Sequence, residues 1–216
     1  MSRTPTRAPR SVLVVAVLGI AFLALPVVGL LQRAPWSSLD DLLGRRSVLD
    51  ALRVSLTVSA MAAAIVVVLG TPLAWMLARV DIPLRRLVRA LVVLPMVLPP
   101  VVGGTALLFA LGRRGLVGQW LDRWFDITLP FTMAGAVVAA TFVALPFLVL
   151  ALEGALRTSG TRYETVAATL GAGRWRILWR VTLPLALPGI VAGVVLAFAR
   201  AIGEFGATAL FAGNAP

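Results

Sequence analysis

No cysteine, no histidine and no lysine occur among the 216 residues. Without cysteine no disulfide can form, and the redox compartment is not readable from the chain. Without cysteine and histidine the usual zinc, haem and thiol chemistries lose their ligands. Without lysine there is neither a phosphate-loop lysine nor a Schiff base. Ser55, Thr57 and Ser59 have no histidine or lysine to activate a hydroxyl, so the enzyme alternative is weak, and no catalytic residue and no metal ligand is assigned. Charge is scarce as well. With 13% charged residues against 60% hydrophobic ones and a mean hydropathy of +0.97, the chain has too little polar surface to cover a soluble globule of its size. It belongs in a bilayer.

The charge that is present is mostly arginine, with 20 basic against 9 acidic residues for a net charge of +11. These arginines are not interleaved with aromatic stacking platforms. They sit in short groups between long uncharged stretches, which is the layout of membrane loops and excludes a nucleic-acid partner. A transmembrane helix takes roughly 20 mostly apolar residues, and charge-free windows of that kind run from Ser11 to Gln32, Val54 to Ala78, Ala90 to Gly112, Ile127 to Leu152 and from Leu185 to at least Ala199. The first is too long for a signal-peptide core and is followed by no clear cleavage site, so it reads as a retained anchor.

Arginine is held on the cytoplasmic side of short loops. With the N-terminus inside, the cytoplasmic segments hold Arg3, Arg7, Arg10, Arg79, Arg85, Arg86, Arg89, Arg157, Arg162, Arg174, Arg176 and Arg180. The outer ones hold Arg33, Arg45, Arg46, Arg53, Arg113, Arg114 and Arg123, partly offset by Asp40, Asp41, Asp50, Asp122 and Asp126. Residues 1–10 are then a cytoplasmic tail, 11–32 the first transmembrane helix and 153–184 the largest cytoplasmic loop.

Proline and glycine interrupt three spans: Gly70-Thr71-Pro72 the second, Pro95, Pro99, Pro100, Gly103 and Gly104 the third, and Pro184, Pro188, Gly189 and Gly193 the start of the fifth. Hydrocarbon tolerates the carbonyls freed by proline only where neighbouring helices or a wet cavity satisfy them. Proline and glycine are commoner in membrane helices generally, which accounts for any one of these sites. It accounts poorly for Leu94-Pro95-Met96-Val97-Leu98-Pro99-Pro100, which predicts a broken helix beside a transport path.

Between the fourth and fifth spans, Thr161 with Glu164 predicts a capping box, and Gly171 a left-handed stop. The helix between them is only about 13 Å long and too short to span anything. Tyr163, Val166, Ala167 and Leu170 share a stripe on it. That face can seat in a groove on a cytoplasmic partner, or pack back on the rest of the chain or on lipid. Arg174-Trp175-Arg176-Ile177-Leu178-Trp179-Arg180 follows as an interfacial ramp into the fifth span.

This loop resembles the cytoplasmic signature of permease subunits of bacterial ATP-binding-cassette importers, which reads Glu-Ala-Ala, three residues, Gly, nine residues, Ile, one residue, Leu-Pro. Thr165-Val166-Ala167 takes the Glu-Ala-Ala place, Gly171 the glycine, Val181 the isoleucine and Leu183-Pro184 the final pair. Thr165 and Val166 depart from the pattern, with Glu164 next door. Leu94 to Gly104, Leu111-Gly112-Arg113-Arg114-Gly115, Phe198 to Thr208 and Ala212-Gly213-Asn214 further resemble the molybdate permease family, with the sulfate permeases a close second.

The resemblance implies an all-α membrane protein, a polytopic helical bundle of the type I importer permease class, with the permease domain over 48–216. Family chains continue past Gly213-Asn214-Ala215-Pro216 into another helix, so five spans are expected here with a sixth missing at the C-terminus. It implies a transporter of molybdate or tungstate, or alternatively of sulfate or thiosulfate, in the bacterial plasma membrane. Expected partners are a second copy of the permease, two cytoplasmic ATP-binding subunits, an extracytoplasmic oxyanion-binding protein and membrane lipid. ATP and magnesium would be bound by the partner ATPase, with no cofactor in this chain. The coupling helix would comprise Tyr163, Glu164, Thr165, Val166, Ala167, Leu170 and Gly171 with Leu183 and Pro184 after it. Pro95, Pro99, Pro100, Gly103, Arg200 and Glu204 are the candidates for the path or gate. Arg200 and Glu204, four apart, can pair on one helix face; they serve either as a snorkelling structural pair or at an outer gate. An ATP-independent secondary transporter or channel is the rival reading, with Glu204 its sole candidate intramembrane carboxylate.

Overall fold

The computed structural model describes residues 9–38, 41 and 43–204, which contain helices and no strands. The chain divides into two compact units, Met1–Ala51 and Leu52–Pro216. The first unit holds α1 (Arg10–Arg33), 24 residues with no buried side chain. At 1.5 Å per residue it is about 36 Å long, and a helix apolar on every face is suited to lipid contact all round. After it, the Trp36 indole donates to the Leu31 carbonyl at 2.6 Å.

The second unit is arranged around one central helix. In chain order the helices are α2 (Arg46–Arg79), which starts just before the division, α3 (Arg85–Val97), α4 (Pro100–Leu111), α5 (Gly118–Phe125), α6 (Met133–Ser159), α7 (Arg162–Thr169), α8 (Arg174–Ile177), a π-helical turn at Leu178–Thr182 and α9 (Leu183–Ile202). Two-thirds of the apolar window of α6 is buried, against 28% for α2 and 22% for the run leading into α9. One layer of core joins Val58, Ala62 and Val66 of α2 to Ala140, Ala144 and Leu148 of α6 and Ala197 and Ala201 of α9. A second joins Leu77, Val92, Leu152, Leu156 and Ala186.

Small residues set the closest approach. Lipid is as apolar as leucine, so membrane helices gain by bringing backbones together over Gly and Ala. A Cβ at Gly189 would lie 2.3 Å from Ala155 Cβ, and one at Gly193 would lie 3.0 Å from Leu148 Cα.

Among the described residues, four helical runs are long and apolar enough to cross a membrane: Arg10–Arg33, Arg46–Arg79, Met133–Ser159 and Arg174–Ile202. The third sequence window instead forms a pair, α3 and α4, bent by 120°. The cause is local. A residue before proline is pushed out of the helical region, and Leu98 and Pro99 are both extended, at ψ 132° and 141°. Neither half is long enough to cross alone, at about 20 and 18 Å.

The chain nevertheless returns to the other end of the bundle before α6 begins. Arg79, the last residue of α2, bonds to the Gly160 carbonyl just past the end of α6, so these two helices finish at the same end. As α6 is about 40 Å long, its start lies at the other end, and residues 80–132 must return the chain there.

Two boundaries differ from expectation. The fourth span begins at Met133 rather than Ile127, because Thr132 Oγ1 accepts the Gly135 N–H at 3.1 Å as a cap and Asp126 and Phe131 adopt positive φ. The segment 153–184 is mostly helix: its first residues complete α6, and only 160–161 and 170–173 lie outside helical turns.

Replacing Gly189 with Val should separate α6 from α9 and cost about 1–3 kcal/mol, read as a lower melting temperature of the detergent-purified protein. Gly154, whose Cβ would meet nothing within 4 Å, should accept Ala without loss.

Candidate functional site

The end of the bundle where α2 and α6 finish and α9 begins is basic. It carries Arg79, Arg85, Arg86, Arg89, Arg157 and, on 162–180, Arg162, Arg174, Arg176 and Arg180. Here α7 is held by short links, with Gly160 (φ 63°) before it and Gly171 (φ 82°) after it. Only glycine reaches such φ values without strain. Gly171 ends α7 as expected: its N–H donates to the Ala168 carbonyl and that of Ala172 to the Ala167 carbonyl, both at 3.0 Å, the paired bonds of a Schellman stop.

The expected capping box is not formed. Thr161 makes no side-chain cap, and Glu164 does not turn back to it. Instead Glu164 Oε1 accepts from Arg79 Nε at 3.0 Å and from Thr182 Oγ1 at 3.1 Å. The side chains are 9% exposed for Arg79 and 19% for Glu164. A charge-assisted bond is roughly twice as strong as a neutral one, so the carboxylate is drawn to the guanidinium and the cap is forgone. Arg79 reaches on to the Gly160 carbonyl at 2.7 Å and to Ser159 Oγ at 3.4 Å.

The stripe on α7 is uncovered. Tyr163 is 61% exposed, Val166 52% and Leu170 83%, so the alternative that this face packs back on the chain is not what forms; Ala167 alone is partly covered. Thr165 points its hydroxyl at the Thr161 carbonyl, 3.0 Å away. Leu183 is half-buried and Pro184 exposed at the start of α9. Pro184 and Pro188 have no N–H to give, and the ladder before them widens: Leu183 N–H bonds back five residues to the Leu178 carbonyl. Such π turns release a helix from its regular register.

A second charge cluster lies at the same end and was not foreseen. Glu153 of α6, 1% exposed, lies 2.6 Å from Arg157 and 3.4 Å from Arg89 of α3. It ties the first half of the broken span to the central helix. Arg85 of α3 donates to the Leu77 carbonyl of α2. The clue to Glu153 was present in the sequence as an acid four residues before an arginine; its burial was not.

Of the candidates for the path, Pro95 is buried, Pro99 and Pro100 are exposed at the corner, and Gly103 is buried with Phe142 Cε1 3.7 Å from where its Cβ would be. Arg200 and Glu204 pair at 2.5 Å at the far end of α9, away from the proline corner in sequence. Near that far end Arg113 pairs with Asp122 at 3.4 Å, and Trp120 and Trp124 meet edge to face at 5.8 Å, an aromatic placement common at membrane interfaces. Among the described residues no three of His, Cys, Asp and Glu gather to hold a metal.

A family model described as the binding-protein-dependent transport system inner membrane component matches residues 70–216. The chain belongs to this family. It is 51% identical over 210 residues to the molybdenum transport system permease protein ModB of Mycobacterium tuberculosis, covering 97% of this chain and 79% of that one. It is 48% identical over 167 residues to the ModB of Escherichia coli, covering 77% and 73%. The sulfate transport system permease protein CysT of Escherichia coli is 37% identical over 184 residues, covering 85% and 66%. This inner membrane component is therefore an all-α, multi-pass member of a binding-protein-dependent transport system.

Arg89→Ala alone should cost little, since Arg157 stays 2.6 Å from Glu153. The double change Arg89→Ala with Arg157→Ala should cost about 3–5 kcal/mol, more than the sum of the two single changes. Thermal unfolding of the four proteins checks this.

Proposed function

We propose that this chain is the permease of an ATP-driven importer for a tetrahedral oxyanion, molybdate or tungstate, and that α7 is its coupling helix. The observation that carries the reading is the uncovered stripe of Tyr163, Val166 and Leu170 on a short helix tied to the basic end of the bundle. Arginine-rich ends lie in the cytoplasm, which supports α7 and, on the arginine count, the N-terminus being inside. An apolar stripe of that size facing water is suited to a groove on another protein. Greater identity to molybdenum permeases, 42–51% against 37% for a sulfate permease, supports molybdate as cargo.

In this reading two copies of the chain associate with two cytoplasmic ATPases and receive the anion from an extracytoplasmic binding protein. The ATPases bind ATP and magnesium; this chain has no lysine for a phosphate loop. When ATP draws the ATPases together, α7 moves with them. The movement swings α2, α6 and α9 as stiff rods, while the corner at Leu98–Pro99 and the π turn at Leu178–Thr182 absorb the change in angle. Pro95, Pro99, Pro100 and Gly103 flank the path, and the Arg200–Glu204 pair stands at its outer end. An anion passes a neutral, small-residue path because it is not held too tightly to leave. No covalent step takes place in this chain.

Proteoliposomes holding the permease with its ATPase and binding protein should take up molybdate only with ATP, with tungstate competing and sulfate competing poorly. Stronger competition by sulfate would reassign the cargo, and uptake without ATP would remove the mechanism. Leu170→Asp should weaken association with the ATPase by roughly 30-fold, about 2 kcal/mol, measured by co-purification; an undiminished complex would refute the docking face.

A further inference from the structure

We propose that Glu164 is a positioning residue that fastens the coupling helix to α2, and that the Arg79–Glu164 pair is what allows α2 to follow α7; this rests on the coupling role of α7 argued above. The chain itself links α7 only to its neighbours in sequence. Two residues connect it to α6 and four lead to α8, so α6 and α9 are pulled directly whenever α7 moves. The end of α2 is 85 residues away. Among the described residues, the side-chain hydrogen bonds and ion pairs from α7 to α2 run through Glu164.

The geometry is that of a hub. One carboxylate oxygen takes the Nε of Arg79 from the end of α2 and the hydroxyl of Thr182 from the close of the π turn. The guanidinium, while bound there, also holds the Gly160 carbonyl and Ser159 at the end of α6. The ends of α2 and α6 and the turn that starts α9 therefore meet on one ion pair. Glu164 points to the bundle while Tyr163, Val166 and Leu170 point away, so the helix can keep this grip and offer its stripe to a partner at the same time. Placing the carboxylate beside a family signature, rather than inside it, separates the two duties: Thr165 stands where the signature has its acid and is exposed to water.

If the pair only added stability, breaking it would lower the amount of complex and leave the work done per ATP unchanged. If it positions α7, breaking it lets the ATPase turn over without moving α2. In the reconstituted complex, Glu164→Gln and Arg79→Met should each keep ATPase association and hydrolysis within about twofold of wild type while molybdate moved per ATP falls by roughly tenfold. The double variant should be no worse than either single one, because both act through one contact. Glu164→Asp, which keeps the charge but shortens the arm, should also uncouple.

A readout independent of transport follows from the absence of cysteine. Spin labels at Asp81→Cys and Thr169→Cys should give a narrow distance distribution with the pair intact and a broad one in Glu164→Gln. Unchanged coupling and an unchanged distribution in Glu164→Gln would overturn the proposal, as would additive losses in the double variant. So would failure of every variant to assemble, which would place the role in folding. Wild-type protein that transports without ATP would defeat the functional reading instead, and the label distances would still report on the grip.

Discussion

A carboxylate and a guanidinium removed from water each cost several kcal/mol, and their attraction repays this only when the contact is close and the remaining donors are satisfied. Two ion-pair clusters stand at the basic end of this bundle, and the first of them meets that condition. Arg79 and Glu164 close one contact and recruit Gly160, Ser159 and Thr182 into it. Arg89, Arg157 and Glu153 close the other. The two clusters tie α2, α3, α6, α7 and the π turn together at one end, beside the core layer of Leu77, Val92, Leu152 and Leu156. With that end fixed, α7 has a defined seat and an outward face.

The middle of the bundle depends on a different economy. Helices in lipid gain little from burying leucine, so contact is made by shortening the distance between backbones. Gly189 and Gly193 against Ala155 and Leu148 do this for α6 and α9, and Gly70 does it for α2, where a Cβ would meet Leu148. Such faces slide or separate as rigid surfaces. Among the described residues the chain turns by 120° at the corner of the broken span, and the helical ladder widens in the turn before Pro184. Stiff rods, a fixed end and two joints are the parts that alternating access requires.

Much of this was legible in the sequence, because charge-free length, proline and glycine act locally. The windows located the crossing segments, Pro99 and Pro100 located the break, and Gly171 located the end of α7. What depended on distant partners was not legible. Thr161 and Glu164 have the spacing of a capping box, but Arg79 lies far off in sequence and competes for the carboxylate more strongly than a backbone N–H does. Glu153 reads as the first residue of a wet loop until Arg89 of another helix is seen beside it. The start of the fourth span was misplaced by the apolar residues at 127–131, which the backbone uses for a turn before Thr132 caps α6.

The coupling role proposed for α7 requires that it lie in the cytoplasm with its stripe under an ATPase. The most direct measurement uses a single cysteine, Leu170→Cys, in this cysteine-free chain, probed with a membrane-impermeant maleimide in vesicles of each orientation. Labelling only from the cytoplasmic side, suppressed when the ATPase is bound, is the predicted result. Labelling from the opposite side, or labelling that the ATPase leaves unchanged, would contradict it.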